Sequence, residues 1–99
     1  MRRGTTPTHT FETDIDLTAA EEIYLTYRQD KCNILELQMD RMEVTPEQIP
    51  VTLTQAETLM FKASKPVYIQ LRVKFPGVPA IASDIINTMV QPILKEGLI

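Results

Sequence analysis

The chain has 99 residues and a formal net charge of −3, with 43% hydrophobic and 23% charged residues. A chain of this length predicts one domain with one core, and its composition is that of an ordinary globular protein rather than a disordered one. The acidic balance argues against general nucleic-acid binding, which needs a cationic surface for the phosphate backbone.

Cysteine usage and hydropathy indicate the compartment. Cys32 is the only cysteine, so no internal disulfide can form and a disulfide-built secreted scaffold is excluded. The first seven residues begin like a signal peptide, but no apolar segment follows them. No apolar run approaches the 18 residues of a membrane span. We therefore expect a cytoplasmic protein, unless it leaves the cell as part of a particle.

The N-terminal part of the chain predicts little regular structure. Residues 1–8 are expected to form a flexible arm, because Gly4, Pro7 and the polar residues around them have little to pack. Weak alternation over residues 9–15 predicts a first strand. Residues 18–21 have the spacing of a capping box, but only about one helical turn could follow.

A regular strand pattern follows at residues 22–29. Ile23, Leu25 and Tyr27 would lie on one face, and β-branched and aromatic residues favour such a pleated surface. Residues 30–33 contain Asp and Asn, which tolerate turn geometry, and they predict a hairpin connection.

Residues 34–43 fit two structures. Leu35, Leu37 and Met39 would share one face of a strand, whereas the Leu, Glu, Gln, Met and Arg content also favours a helix. The short length of the segment and its place between two other strands favour the strand.

Prolines mark the next boundary. Residues 44–50 contain two prolines and predict a turn. Because proline cannot donate to a β-ladder, Pro50 is expected to start a strand over residues 51–54. A second capping-box pattern begins at Thr54 and predicts a short helical turn near residues 55–59.

The clearest strand pattern in the chain is at residues 67–75, where apolar and polar side chains alternate strictly. The apolar face consists of Val67, Ile69, Leu71, Val73 and Phe75. A Pro-Gly turn closes this strand. Residues 79–91 predict a last strand, but both of its faces are mixed, so its register is poorly specified.

These elements predict an all-β protein. Six or seven short strands with regular turn signals are typical of an immunoglobulin-like antiparallel β-sandwich, here with one short helical turn near residues 55–59. Two sheets must close over one core, since a single sheet would leave its apolar face in water. We expect one sandwich domain over residues 9–99, preceded by the arm (residues 1–8) and ending in an apolar tail (residues 92–99).

Residues that could carry catalysis are scarce. His9 is the only histidine, and we expect it to be solvated or at a strand edge. Cys32 as a nucleophile would have only this imidazole as its base. Glu12, Asp14 and Asp16 would line one face of an extended strand and could hold Ca²⁺, but a solvated face is the favoured interpretation. We predict no enzymatic activity, no cofactor and no metal site.

The two termini carry the stronger functional signal. Arg2 and Arg3 make the arm basic, and the tail is unusually apolar for a chain end. Its apolar side chains, exposed together, would form a patch of the kind that marks a partner surface; alternatively, the tail packs back on its own sandwich. The candidate partner contacts are Arg2, Arg3, Ile93, Leu94, Leu98 and Ile99.

Several segments resemble a known group of proteins. The opening Arg2–Phe11 (RRGTTPTHTF) resembles the start of small proteins encoded in the structural-gene regions of phages and prophages of Firmicutes. Residues 51–59 are similar to their VTLTQEET segment, residues 69–73 to their IQVRV strand, and residues 82–85 to the strand that follows. The chain also resembles, more loosely, the immunoglobulin-like N-terminal domains of phage baseplate proteins.

The resemblance implies a non-enzymatic virion structural or assembly protein, found in the bacterial cytoplasm during assembly and then in the virion. Its partners would be other virion proteins or further copies of itself, without nucleic acid or membrane. The alternative is a host-surface or carbohydrate-binding module, which sandwich folds often carry. Such a module would need exposed aromatic side chains, and the tyrosines on offer are Tyr24, Tyr27 and Tyr68.

Overall fold

The computed structural model describes residues 1–13, 15–83 and 85–99. Within these ranges the chain forms seven strands, one turn of α-helix and two 3₁₀ turns. The strands are β1 (Thr8–Glu12), β2 (Glu22–Gln29), β3 (Cys32–Leu37), β4 (Gln48–Thr52), β5 (Pro66–Lys74), β6 (Ile81–Ala82) and β7 (Ile86–Met89). The helix α1 is Gln55–Thr58, and the 3₁₀ turns are Leu17–Ala19 and Met39–Arg41. None of the described helices is long and apolar enough to cross a membrane.

The strands form two antiparallel sheets. The smaller sheet pairs β1 with β4, and the larger runs β3-β2-β5, with β6 and β7 both paired to the far side of β5. In the immunoglobulin fold, strands B and E lie in one sheet, and strands C′, C, F and G lie side by side in the other. Here β1 and β4 take the places of B and E, while β3, β2, β5 and the β6–β7 pair follow the order C′-C-F-G. The predicted immunoglobulin-like all-β sandwich is confirmed.

The core lies between the two sheets and follows the period-two alternation of the strands. In β5 all four predicted apolar residues, Val67 to Val73, are buried, and the polar residues between them face outward. Phe75 follows the strand and packs at the edge of the core. The buried apolar residues are Leu17, Ile23, Leu25, Tyr27, Leu37, Ile49, Val51, Leu53, Phe61, Val67, Ile69, Leu71, Val73 and Val90.

The β2–β3 hairpin is tighter than predicted. Asp30 and Lys31 both have positive φ angles, 53° and 64°, and form a two-residue connection of the kind that matches strand twist. Cys32 is the first residue of β3, so the predicted four-residue turn is two residues too long. The strand favoured for residues 34–43 is confirmed as far as Leu37, where it stops; the three-residue 3₁₀ turn Met39–Arg41 follows, and this segment forms no α-helix.

The two capping-box predictions have different outcomes. The first is wrong: the 3₁₀ turn begins one residue after Asp16, whose carboxylate accepts a hydrogen bond from the Thr18 N–H at 3.0 Å. The second is confirmed. The Thr54 hydroxyl accepts from the Glu57 N–H at 3.2 Å, and the Glu57 carboxylate accepts from the Thr54 N–H at 2.8 Å. That carboxylate also binds both terminal nitrogens of Arg41 at 2.7 Å.

Pro50 does not start a strand, as predicted, but lies in the middle of β4, opposite Thr10. The Leu53 N–H donates to the Pro7 carbonyl at 3.0 Å, which extends the same register. Hydrogen-bonded pairs alternate along an antiparallel ladder, so the Thr10–Pro50 pair is not hydrogen-bonded and its backbone groups face outward. The position therefore needs no N–H, and proline at this outer edge prevents another strand from pairing with β4.

The first and last strands also differ from the predictions. β1 spans Thr8–Glu12 rather than residues 9–15, so it takes one residue from the predicted arm. The predicted strand over residues 79–91 is divided into β6 and β7, because one more residue lies between Ile81 and Ile86 than between their partners on β5. Asp14 and Asp84, which fall within the two predicted strands, lie outside the described residues.

Candidate functional site

The predicted arm, residues 1–8, runs beside the end of the last strand. The Arg3 N–H donates to the Gln91 carbonyl at 3.1 Å, and the Gln91 N–H donates to the Met1 carbonyl at 2.7 Å. These bonds form a short parallel bridge. The Met1 ammonium also donates to the Met89 carbonyl at 2.9 Å. The arm, predicted to be flexible from its composition, thus has hydrogen-bond partners on the outward edge of the last strand, which composition does not reveal.

The Arg2 side chain contacts the start of the tail. Its guanidinium donates to the Pro92 carbonyl at 2.6 Å and to the side-chain oxygen of Gln91 at 2.7 Å. A planar guanidinium with several donors suits this double contact. Arg2, predicted as a partner contact, lies against the tail of its own chain.

The Arg3 side chain joins three segments. It donates to the Leu59 and Phe61 carbonyls, at 3.2 Å and 2.7 Å, in the segment after α1. It also forms an ion pair with Glu96 of the tail at 2.7 Å. The Arg3 side chain is only 18% exposed, whereas that of Glu96 is 62% exposed, so water screens this ion pair on the glutamate side. Together these contacts hold the tail against the body of the protein.

Ile93 packs where the arm and tail meet. Gly4 has a φ angle of +73°, and a Cβ added at this position would lie 2.7 Å from the Ile93 Cδ1 atom. The same Cβ would lie 3.5 Å from Leu59. The backbone conformation therefore favours glycine, and any larger residue would also require the end of the Ile93 side chain to shift. Of the apolar tail residues, Ile93 is the one that packs back on its own sandwich.

The remaining apolar tail residues are exposed. Leu98 is 64% exposed and Ile99 is 90% exposed, while Leu94 is fully exposed. The Ile99 N–H donates to the side-chain oxygen of Gln55 in α1 at 2.9 Å, so the chain end stays beside the helix. We call Leu94, Leu98 and Ile99 the tail patch. The six predicted contacts thus divide into three residues bound within the chain and three that face solvent.

A second surface lies on the outer face of the larger sheet, where β2 and β5 pair in register. The facing residues are Tyr24 with Arg72, Thr26 with Gln70, and Arg28 with Tyr68. A shallow cavity of about 340 Å³ covers this face and is also lined by Asn33, Glu36 and Ile85. Tyrosine rings beside guanidinium and amide groups offer both apolar contact and hydrogen bonds, which a polar ligand with flat apolar faces requires.

The tyrosines of this face can be identified in the sequence, but their arrangement cannot. Tyr24 and Tyr68 point outward on adjacent strands, whereas Tyr27, counted with them, is buried in the core. Alternation indicated which residues of each strand share a face. Only the pairing of β2 with β5 brings the two tyrosines and two arginines together, and no local pattern specifies that pairing.

His9 and Tyr27 connect the two sheets. The Tyr27 hydroxyl lies 2.7 Å from Nδ1 of His9, which is on the edge strand β1, as one of the two expectations had it, but is half-buried rather than solvated. Burial, and then repulsion by the N-terminal ammonium, lowers the pKa of His9 below its usual 6.5. Burial, and then the charge of Glu57, raises the pKa of Tyr27. Both groups are therefore held neutral, which suits a structural hydrogen bond.

This pair gives folding a pH dependence. The unfolded chain protonates His9 near pH 6.5, whereas the folded chain binds that proton only at lower pH. Stability from this group is therefore full above pH 6.5 and is lost as the pH falls through the lowered pKa. We expect the midpoint of urea unfolding to fall between about pH 7 and about pH 5. His9→Gln should flatten this dependence, and an equally steep decrease in the variant would contradict the assignment.

The other reactive groups form no constellation in the described part of the chain. Cys32 is exposed at the start of β3. No group of three His, Cys, Asp or Glu residues in the described ranges could hold a metal ion. Of the predicted carboxylate row Glu12, Asp14 and Asp16, the middle residue lies outside those ranges.

Three comparisons with known proteins complete the description. No family model, no curated protein and no solved structure matches the chain. The functional proposal therefore depends on the tail patch, on the outer face of the larger sheet and on the sequence resemblance given above.

Proposed function

We propose that the protein is a non-enzymatic structural or assembly component of a phage or prophage virion, acting through contacts with other virion proteins or further copies of itself. The tail patch is the observation that carries the proposal, because its three large apolar side chains are each at least 64% exposed, and exposed apolar surface marks partner surfaces. The resemblance of Arg2–Phe11 and residues 51–59 to phage structural-region proteins supports the virion context.

The position of the tail patch favours binding. Arg3 and Ile93 hold the tail on the body, so the exposed side chains are presented from an ordered support rather than a loose end. Such an arrangement lowers the entropy cost of association. Burying one Leu or Ile side chain contributes about 1.5–3 kcal/mol, and a virion repeats each contact many times.

We expect the triple variant Leu94→Ser, Leu98→Ser, Ile99→Ser to fold but to lose its complex with structural proteins encoded beside its gene. Its affinity should fall at least tenfold, equivalent to about 1.4 kcal/mol, because the apolar contact area is removed. Co-expression followed by size-exclusion chromatography with light scattering would measure the complex, and circular dichroism would verify the fold.

The matched control is Val78→Ser, which removes an exposed apolar side chain from the turn after β5. It should leave the complex unchanged. A wild-type chain that forms no complex with these proteins, or a triple variant that binds as well as wild type, would contradict the proposal.

The outer face of the larger sheet, with its tyrosine and arginine side chains, favours one alternative: a host-surface or carbohydrate-binding module. In that case Tyr24→Ala or Tyr68→Ala should weaken binding to a glycan at least tenfold, since stacking on the ring is lost. Tyr68→Phe keeps the ring and should retain most of the affinity. A glycan array probed with the wild-type protein is the measurement, and an array without any signal removes this alternative.

A further inference from the structure

One side of the sandwich has an unpaired strand edge. The register of β1 with β4 directs the backbone N–H and C=O groups of Thr8, Thr10 and Glu12 away from β4. No strand in the described ranges pairs with this edge. In an immunoglobulin sandwich, strand A covers this edge, whereas here the N-terminal arm runs along the last strand instead. The edge is therefore open to an added chain.

An apolar groove of about 470 Å³ lies beside that edge. It is between β1 and the two consecutive strands β6 and β7, which both pair with β5. Its floor is formed by Leu71 and Val73 of β5, whose buried side chains also belong to the core of the sandwich. Its walls are more exposed, and Ile81 and Ile86 are 42% and 50% accessible. The apolar side chains that line the groove include Phe11, Ile15, Leu71, Val73, Ile81 and Ile86.

The groove and the tail patch lie at opposite ends of the molecule. β5 begins at Pro66, close to the tail, and ends at Lys74, close to the groove. Its nine residues span roughly 27 Å. Arg3 and Gln55 bind the tail at its own end, so the tail patch lies away from the groove of the same molecule. The groove of a second molecule can receive the tail patch.

The charges at the two ends are complementary. The exposed carboxylates near the groove end are Glu12, Asp16, Glu21 and Glu47, of which Glu21 forms an ion pair with Lys74 at 3.3 Å. The cations near the tail end are Arg2, Arg3, Lys62 and Lys65; Arg3 pairs with Glu96, and Lys62 and Lys65 share Asp30, so these four cations stand against two carboxylates. Opposite charge at facing surfaces steers association and fixes orientation. Two copies placed head to tail would bring the acidic end of one against the basic end of the next.

We propose that the groove receives the tail patch of a second copy of this chain. Leu94, Leu98 and Ile99 of one copy would pack against the groove of the next, beside the free edge of β1, where backbone hydrogen bonds can also form. The contact joins two different surfaces, so it is heterologous and continues into a ring or a filament. This inference rests on the proposed function and names its partner and its receiving site.

Single substitutions on each surface test the contact. We expect wild-type mass in solution to rise with concentration, measured by sedimentation and light scattering up to about 1 mM. Ile86→Lys in the groove and Leu94→Lys in the tail should each raise the dissociation constant at least tenfold. Both side chains are exposed, so folding should be retained, as verified by circular dichroism. Val78→Lys, an exposed site outside both surfaces, should associate like wild type.

Mixing the two variants gives the decisive measurement. The Ile86→Lys chain keeps an intact tail and the Leu94→Lys chain an intact groove, so an equimolar mixture should form a one-to-one dimer and nothing larger. A mixture that stays monomeric overturns the tail-in-groove contact, as does a wild-type chain that is monomeric throughout. If wild type is monomeric but its tail variants still lose the complex with virion proteins, this inference fails while the proposed function stands.

Discussion

Replacing Tyr27 with alanine is expected to lower the free energy of unfolding by about 3–5 kcal/mol. The side chain is fully buried, its ring centroid lies 5.8 Å from that of Phe61, and its hydroxyl bonds to His9 across the sandwich. The substitution removes a large apolar volume and leaves the imidazole without this partner. A domain of this size is stable by about 5–15 kcal/mol, so much of its stability would be lost. Urea unfolding followed by circular dichroism measures the change.

Two conservative variants separate the ring from the hydroxyl. Tyr27→Phe keeps the ring and removes the hydrogen bond, and should cost about 1–3 kcal/mol because the histidine nitrogen is left unsatisfied. Tyr68→Phe is the matched control on the exposed face, where we expect a change within about 0.5 kcal/mol. Equal costs for these two variants would show that the link between the sheets contributes nothing specific.

Replacing Gln29 with leucine is expected to be the second most damaging change, costing about 2–4 kcal/mol. Gln29 is 2% exposed at the end of β2. Its side-chain oxygen accepts from the Lys62 N–H at 2.6 Å, and its nitrogen donates to the Lys62 carbonyl at 2.9 Å. Leucine has a similar volume but leaves both backbone groups without these bonds in a partly buried site. Urea unfolding again gives the magnitude.

Gln70→Leu is the control for this prediction. Gln70 lies on β5, is only half-buried and points to the outer face. Its side-chain nitrogen donates to the Ser83 carbonyl at 3.1 Å in an exposed position, where water can replace the bond, so the same substitution should change stability by about 0.5 kcal/mol or less. Hydrogen exchange provides a second readout, because the Lys62 amide should exchange faster in Gln29→Leu than in wild type. Similar stabilities of the two leucine variants, or an unchanged exchange rate at Lys62, would refute the role given to Gln29.

The sequence predicted those features that depend on local period and local chemistry. The buried face of β5, from Val67 to Val73, follows from strict alternation, and the boundaries of β2 follow from the same pattern. The Thr54 capping box was predictable because both of its partners lie within four residues. The two packed sheets were predictable because a single sheet would leave its apolar face in water.

The features that were missed depend on pairing between distant segments. Pro50 can lie within β4 only because the register with β1 turns its nitrogen to the outside. Arg2 and Arg3 are bound within the chain because the arm meets the tail, a contact across some 90 positions of sequence. The Tyr27–His9 bond crosses from one sheet to the other. None of these contacts has a signal in a short window of residues.

Pro50 has a consequence for how the smaller sheet can grow. An ordinary two-stranded sheet can recruit a neighbour on either flank, and stacking from both flanks is the route to cross-β aggregates. Because Pro50 blocks the edge of β4, an added strand can pair with this sheet only at the edge of β1. When many copies are crowded together, as in a particle shell, this limit would favour assemblies in which all molecules point in one direction over the uncontrolled growth of fibrils.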